Sequence, residues 1–220
     1  MSTDGLEILL AYLLGSINGS LVLGRLRGVD IRTQGSGNAG GTNALRTQGR
    51  WFALGVIVID VAKAWLAVRF VPGVASGSPS EWLALACGFA AIVGHVYPIF
   101  HGFRGGKGVA TLLGTLLAVS PILLCAVLAV WFLMMFAFGY VGLGSIVATA
   151  SLPVLIFWGA DLGYIGESAR WPWSVFALAC ALFVAWTHRS NLARMRAGTE
   201  PRARRLWLWG RWRGLRGDPR

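Results

Sequence analysis

Three stretches of this sequence bring together the residue types that hold an anion. The first reads Gln34-Gly35-Ser36-Gly37-Asn38-Ala39-Gly40-Gly41-Thr42-Asn43-Ala44-Leu45-Arg46-Thr47. Its four glycines permit positive-φ conformations that turn successive backbone N–H groups inward. Around an oxyanion held this way, Ser36, Asn38, Thr42 and Asn43 add hydroxyl and amide hydrogen bonds, and Arg46 supplies a bidentate clamp. The second stretch is Gly94-His95-Val96-Tyr97-Pro98-Ile99-Phe100-His101-Gly102-Phe103-Arg104-Gly105-Gly106-Lys107-Gly108, with a short apolar helix expected behind it. Gly105, Gly106 and Gly108 around Lys107 let backbone approach a ligand closely, and the helix N-terminus adds unpaired N–H groups and a positive dipole end. The third is His188-Arg189-Ser190-Asn191, where His188 and Asn191 share a face if the helix continues, followed by Glu200 in a Gly-Thr-Glu turn.

Several standard chemistries are excluded. Gly35, Gly37 and Gly40 match G-x-G-x-x-G, but no strand precedes them and no βαβ alternation surrounds them, so a dinucleotide fold is rejected. Lys107 does not belong to a Walker A loop, because His101 stands where Gly is required and Gly108 where Ser or Thr would bind magnesium. There is no G-x-S-x-G elbow and no His-x4-Asp pair, and no group of Asp, Glu, His or Cys has metal-ligand spacing. Neither a metal nor a cofactor is expected. Cys87, Cys125 and Cys180 sit in separate apolar runs and are read as small core residues without a disulfide.

The elements that must position these stretches are membrane helices. Of 220 residues, 55% are hydrophobic and only 13% charged, which is too apolar for a soluble domain. Apolar runs predict spans at about 6–24, 51–71, 81–100, 121–138, 142–160 and 172–187. The net charge of +11 is unevenly placed: five of the 20 Lys and Arg lie from Arg25 to Arg50, two at Arg104 and Lys107, and ten after His188. By the positive-inside rule these segments are cytoplasmic and the N-terminus is outside. An even number of crossings must then join Lys107 to His188, so the short run 109–119 is also expected to cross, making seven. The expected fold is an all-α, polytopic membrane bundle of seven transmembrane helices, one short, with a cytoplasmic C-terminus. Asp60 and Lys63, three apart in the second span, should face each other or the interior. Pro72-Gly73, Gly139 to Gly144 and Trp171-Pro172 read as tight turns.

In combination, Gly-Ser-Gly-Asn-x-Gly-x-Thr-Asn-x-Leu-Arg, then Gly-His-x-x-Pro with Arg-Gly-Gly-Lys-Gly, then His-Arg-x-Asn closely resemble the bacterial acyl-phosphate-dependent glycerol-3-phosphate acyltransferases, in order from about Gly15 to Glu200. Asp60-Val61-Ala62-Lys63 resembles that family's second-span signature. The resemblance implies acyl transfer from acyl phosphate to the sn-1 hydroxyl of glycerol 3-phosphate, giving lysophosphatidic acid and inorganic phosphate in phospholipid biosynthesis. It places the site at the cytoplasmic face of the bacterial inner membrane and implies an upstream enzyme that supplies the acyl phosphate. Ser36, Arg46, Lys107, His188 and Asn191 become the expected catalytic set. Asn38, Thr42, Asn43, His95, Arg104, Gly105, Gly106, Gly108 and Glu200 become the expected substrate-binding set. Asn18 stands where the family usually has Pro, and Gly41 where it usually has Ala.

The chain is divided as a membrane acyltransferase domain, 1–200, and a basic cytoplasmic tail, 201–220. With Trp207, Trp209 and Trp212 among seven arginines, the tail reads as an interfacial anchor on anionic membrane lipid rather than a nucleic-acid binder. The rival function is a transporter for an organic phosphate. Clustering of basic groups at one face and the lack of inverted halves weigh against it.

Overall fold

The computed structural model describes residues 2–75, 77, 79–161, 163, 165–203 and 206–207. Most of the tail expected at 201–220, Trp209 and Trp212 included, lies outside the described residues. Among the described residues all regular structure is helical: α1 (Thr3–Gly15), α2 (Gly19–Leu26), α3 (Gly41–Gln48), α4 (Arg50–Phe70), α5 (Glu81–Val96), α6 (Val109–Val119), α7 (Pro121–Phe138), α8 (Val141–Ala150), α9 (Leu152–Asp161), α10 (Glu167–Thr187) and α11 (Arg189–Arg196), with 3-10 turns at Ile31–Thr33 and Ile99–His101. Among the described residues, five segments are long and apolar enough to cross a membrane, or six if the bent pair α1 and α2 is one span; α6 is a shorter apolar helix. Exposed Phe70, Ile122, Leu133, Trp158 and Leu182 on these helices suit a lipid solvent.

The apolar run at 6–24 is not one helix. It bends by 45° between α1 and α2, because Asn18 leaves the helix (φ −84°, ψ 120°) and its side chain accepts the Leu21 N–H to start α2. The run at 142–160 is likewise interrupted at Ser151, two residues before Pro153. In contrast, Trp171-Pro172 is not a turn: Pro172 lies in the second turn of α10, and the helix continues through it. The expected turn at Gly139 to Gly144 contracts to Gly139 (φ +74°) and Tyr140, with Gly142 and Gly144 inside α8. Pro72-Gly73 is a turn as expected, with Gly73 at φ +87°. Cys87 and Cys180 are buried, but Cys125 is exposed on α7, so it is not a core residue.

The chain divides into two units, residues 1–121 with 167–176, and residues 122–166 with 177–220. In the first, α5 packs on α1 and α4, and α4 packs on α2, α3 and α6. Backbones touch through small residues. A Cβ at Gly15 would run into the Ala91 carbonyl, one at Gly94 into the Tyr12 carbonyl, and one at Gly114 into the Val61 carbonyl. At the start of α1, buried Glu7 accepts hydrogen bonds from the N–H groups of Gly73 (2.8 Å) and Ala75 (2.7 Å), tying α1 to the turn after α4. In the second unit α8 packs on α9 and α11.

Because the obstacle at Gly15 is backbone, Gly15→Ala should destabilise by ~1–3 kcal/mol. Gly166→Ala, with open space around it, should change little. Thermal unfolding in detergent checks both, and equal melting temperatures would contradict the close α1–α5 approach.

Candidate active site

The first glycine-rich loop is organised from within by Asn43. Its Oδ1 accepts the Ser36 N–H (2.9 Å), and its Nδ2 donates to the carbonyls of Ile31 (3.1 Å) and Gln34 (2.9 Å). Asn43 is therefore buried scaffolding, and Ser36, Asn38, Thr42 and Arg46 are the members of the set that keep an exposed or half-buried surface. Two of the four glycines, Gly35 (φ +57°) and Gly37 (φ +72°), adopt the left-handed conformation. The other two do not: Gly40 is extended and Gly41 begins α3.

The second loop folds back on the helix it leaves. The N–H groups of Gly105 and Gly106 donate to the carbonyls of Val96 (3.0 Å) and His95 (3.1 Å). Those two amides thus extend the end of α5 and do not line an anion cradle, which corrects the expectation for them. Their missing side chains matter instead: a Cβ at Gly105 would strike the His95 carbonyl, and one at Gly106 would strike His95 Nε2 and come within 2.8 Å of the Ala39 carbonyl. Gly108, at φ +87°, turns the chain into α6, whose N-terminus opens beside half-buried Lys107. Arg104 is exposed.

The two loops are joined at two levels. Outside, Asp30 holds the Arg32 guanidinium through both carboxylate oxygens (Oδ1 to Nε 3.0 Å, Oδ2 to Nη2 2.8 Å), while Arg32 Nη1 donates to the carbonyls of His101 (2.9 Å) and Arg104 (3.3 Å). Inside, Asn18 Nδ2 donates to the Ala39 carbonyl (3.3 Å) of the first loop and lies 3.5 Å from the His95 carbonyl at the head of the second. Below lie Asp60, Lys63 and His95, all buried: Lys63 Nζ is 3.0 Å from Asp60 Oδ1 and 3.0 Å from His95 Nδ1, so the two charges face each other as expected.

The third segment belongs to the second unit. The helix does not run on through His188, which ends α10 and precedes α11. The His188 Nδ1–H donates to the Val184 carbonyl (2.9 Å), so a neutral His188 carries its lone pair on Nε2. Asn191 Nδ2 donates to Glu200 Oε1 (2.6 Å), and Arg194 Nε to Glu200 Oε2 (2.7 Å). Buried Glu200, with both oxygens engaged, orients Asn191 rather than presenting itself to an anionic ligand. Asn191 also packs on Gly142, where a Cβ would come within 2.8 Å of its side chain.

Two linkers escaped sequence reading. Arg32 looked like one more topology charge, and Asn18 only a departure from a motif; neither has a spacing signal that announces a contact 69 or 21 residues away.

The Arg32 guanidinium holds the Asp30 carboxyl below the usual carboxylate range. A lowered folded-state pKa means the strap is in force above the unfolded value of about 3.9 and is lost as pH falls through the folded value. Amide exchange at residues 99–105 should therefore quicken relative to unfolded-chain rates in acid, and by ~2- to 5-fold at neutral pH in Asp30→Asn. Unchanged protection in both would contradict the strap.

A family model described as glycerol-3-phosphate acyltransferase matches residues 6–198. A glycerol-3-phosphate acyltransferase of Geobacter sulfurreducens is 42% identical over 193 residues, covering 87% of this chain and 93% of the relative. One from Methylorubrum populi is 40% identical over 196 residues, covering 89% and 90%. The structure is similar to the crystal structure of PlsY, an integral membrane glycerol 3-phosphate acyltransferase, in its glycerol 3-phosphate form (TM-score 0.78, 35% identity, 91% of this chain and 96% of that one). The lysophosphatidic acid form gives 0.77 and 34%, with 91% and 95% covered. With its three motifs intact, this chain belongs to the glycerol-3-phosphate acyltransferase family.

Proposed function

We propose that this protein transfers the acyl group of an acyl phosphate to the sn-1 hydroxyl of glycerol 3-phosphate. The observation that carries the reading is the likeness, over 91% of the chain, to PlsY in forms named for glycerol 3-phosphate and lysophosphatidic acid. The hydroxyl oxygen attacks the acyl carbonyl carbon, a C–O bond forms, the anhydride C–O bond breaks, and inorganic phosphate leaves with lysophosphatidic acid as product. The donor reading rests on the residue set: an acyl phosphate carries its own leaving group, so positioning and charge neutralisation suffice, and no activated protein nucleophile is needed.

In this reading Arg46 and Lys107 clamp phosphoryl groups, Ser36, Asn38 and Thr42 orient them, and His95 and Arg104 add donors. Asn43, Gly105 and Gly106 hold the loops in shape, and Gly108 sets the start of α6. His188 and Asn191 hold glycerol 3-phosphate, with Glu200 orienting Asn191. The hydroxyl proton goes to His188 Nε2, the Nδ1–H being bonded to the Val184 carbonyl, or to an oxygen of the acyl phosphate. The site faces the cytoplasm of the bacterial inner membrane. Seven crossings place the N-terminus outside and the C-terminus inside, and 201–220 forms a basic tail on lipid behind the 1–200 domain; the charge placement supports all of this. A separate upstream enzyme supplies the acyl phosphate.

Purified protein given glycerol 3-phosphate and palmitoyl phosphate should release inorganic phosphate only when both are present, and not with palmitoyl-CoA as donor. Lys107→Ala and Arg46→Ala should each lower kcat/KM by ~10- to 100-fold, the size of a lost charge-assisted hydrogen bond. Near-normal turnover in both variants would refute the assignment.

A further inference from the structure

The break between α1 and α2, together with α4 and α5, encloses an ammonium group whose three protons meet three acceptors. Lys63 Nζ lies 2.9 Å from the Ile17 carbonyl, 3.0 Å from Asp60 Oδ1 and 3.0 Å from His95 Nδ1. An ammonium only donates, so the imidazole nitrogen facing it must present its lone pair. A second donor, Asn18 Nδ2, faces the same nitrogen at 3.5 Å. An acceptor also faces that nitrogen, Asp60 Oδ1 at 3.3 Å, but it already receives Lys63 and the Gly19 N–H (3.0 Å). His95 is then neutral, with its proton on Nε2. The ring's hydrogen bonds among the described residues all run through Nδ1, while Nε2 abuts Gly106 at the seam where the second loop meets the Ala39 carbonyl of the first.

We propose that Lys63 and Asp60 are positioning residues: they lock His95 in its Nε2–H form, so that a fixed, uncharged donor faces a phosphoryl oxygen bound beside the Ala39 and Gly106 turns. Asn18, which holds the Ala39 carbonyl from the same pivot, keeps the two turns in register in this chain. The arrangement has a clear chemical sense. The opposite tautomer would point a lone pair at an anionic oxygen, and an imidazolium would add a second buried cation against Lys63. The proposal rests on the acyltransferase reading for the identity of the phosphoryl group, which glycerol 3-phosphate or the acyl phosphate could supply.

Nitrogen-15 NMR of the full-length protein labelled at histidine, with His95 assigned by its loss in His95→Asn, reads the tautomer without any activity assay. Wild type should show a protonated Nε2 and a bare Nδ1. In Lys63→Met the remaining neighbour, Asp60, should draw the proton to Nδ1, and KM should rise about tenfold for one of the two substrates while kcat stays within about threefold. The substrate whose KM moves is the one seated there. A wild-type Nδ1–H or imidazolium, or a flipped tautomer with both KM values unchanged, would overturn the proposal. If Lys63→Met does not fold, the wild-type spectrum still decides the tautomer, and Asn18→Ala should leave it unaltered. Were wild type to lack acyl-transfer activity, the functional reading would fail separately. Titration with inorganic phosphate would then test the donor directly, a shifted His95 Nε2 resonance supporting it and an unmoved one overturning it.

Discussion

An ammonium buried among apolar helices must place every proton on an acceptor, because neither lipid nor close-packed side chains offer one. Lys63 does so only because the first apolar segment is broken. In an unbroken helix the Ile17 carbonyl and the Gly19 N–H would be consumed within the helix; at the bend the first reaches Lys63 and the second reaches Asp60. Asn18, between them, caps α2 and donates to the Ala39 carbonyl. The bend, the buried ion pair and the seating of the first loop are thus one arrangement, and a change to any of them leaves a buried polar group without its partner. Such a group costs about 1–3 kcal/mol even when uncharged.

From this pivot the first unit's candidate surface follows. His95, fixed from below, lends its carbonyl to the Gly106 N–H and its ring edge to the space that Gly106 leaves open. That close approach explains why glycine stands at 105 and 106 better than any anion cradle does. The Arg32 strap then closes the outer rim. The second unit solves its own problem in the same way: buried Glu200 is engaged by Asn191 and Arg194, and a helix carbonyl fixes the tautomer of His188. The two histidines meet their neighbours through Nδ1 in opposite ways, His95 facing the Lys63 ammonium and His188 facing the Val184 carbonyl.

Much of this was legible in the residues. Apolar runs marked the long helices, the i, i+3 spacing of Asp60 and Lys63 foretold their pairing, and the three motifs gave the family. What stayed hidden was conformational. Ser16 and Asn18 count as isolated polar residues in an apolar run, and hydropathy does not distinguish a tolerated Asn from one that ends a helix. Pro172 misled in the opposite direction, because the helix runs on through it in its second turn. The glycines of the second loop advertised backbone flexibility, yet Gly105 and Gly106 serve close packing. Asn43 and Glu200 were chemically suited to bind a ligand, and only their hydrogen-bond partners reveal that they bind the protein.

On the proposal made above, the buried Lys63 pivot presents His95 Nε2 to a substrate phosphoryl group. Crystals grown with glycerol 3-phosphate, and separately with a non-hydrolysable acyl phosphonate, test it most directly. The account predicts that the phosphoryl or phosphonyl oxygens of one of them lie within hydrogen-bond distance of His95 Nε2. Both ligands bound out of reach of His95 Nε2 would contradict it.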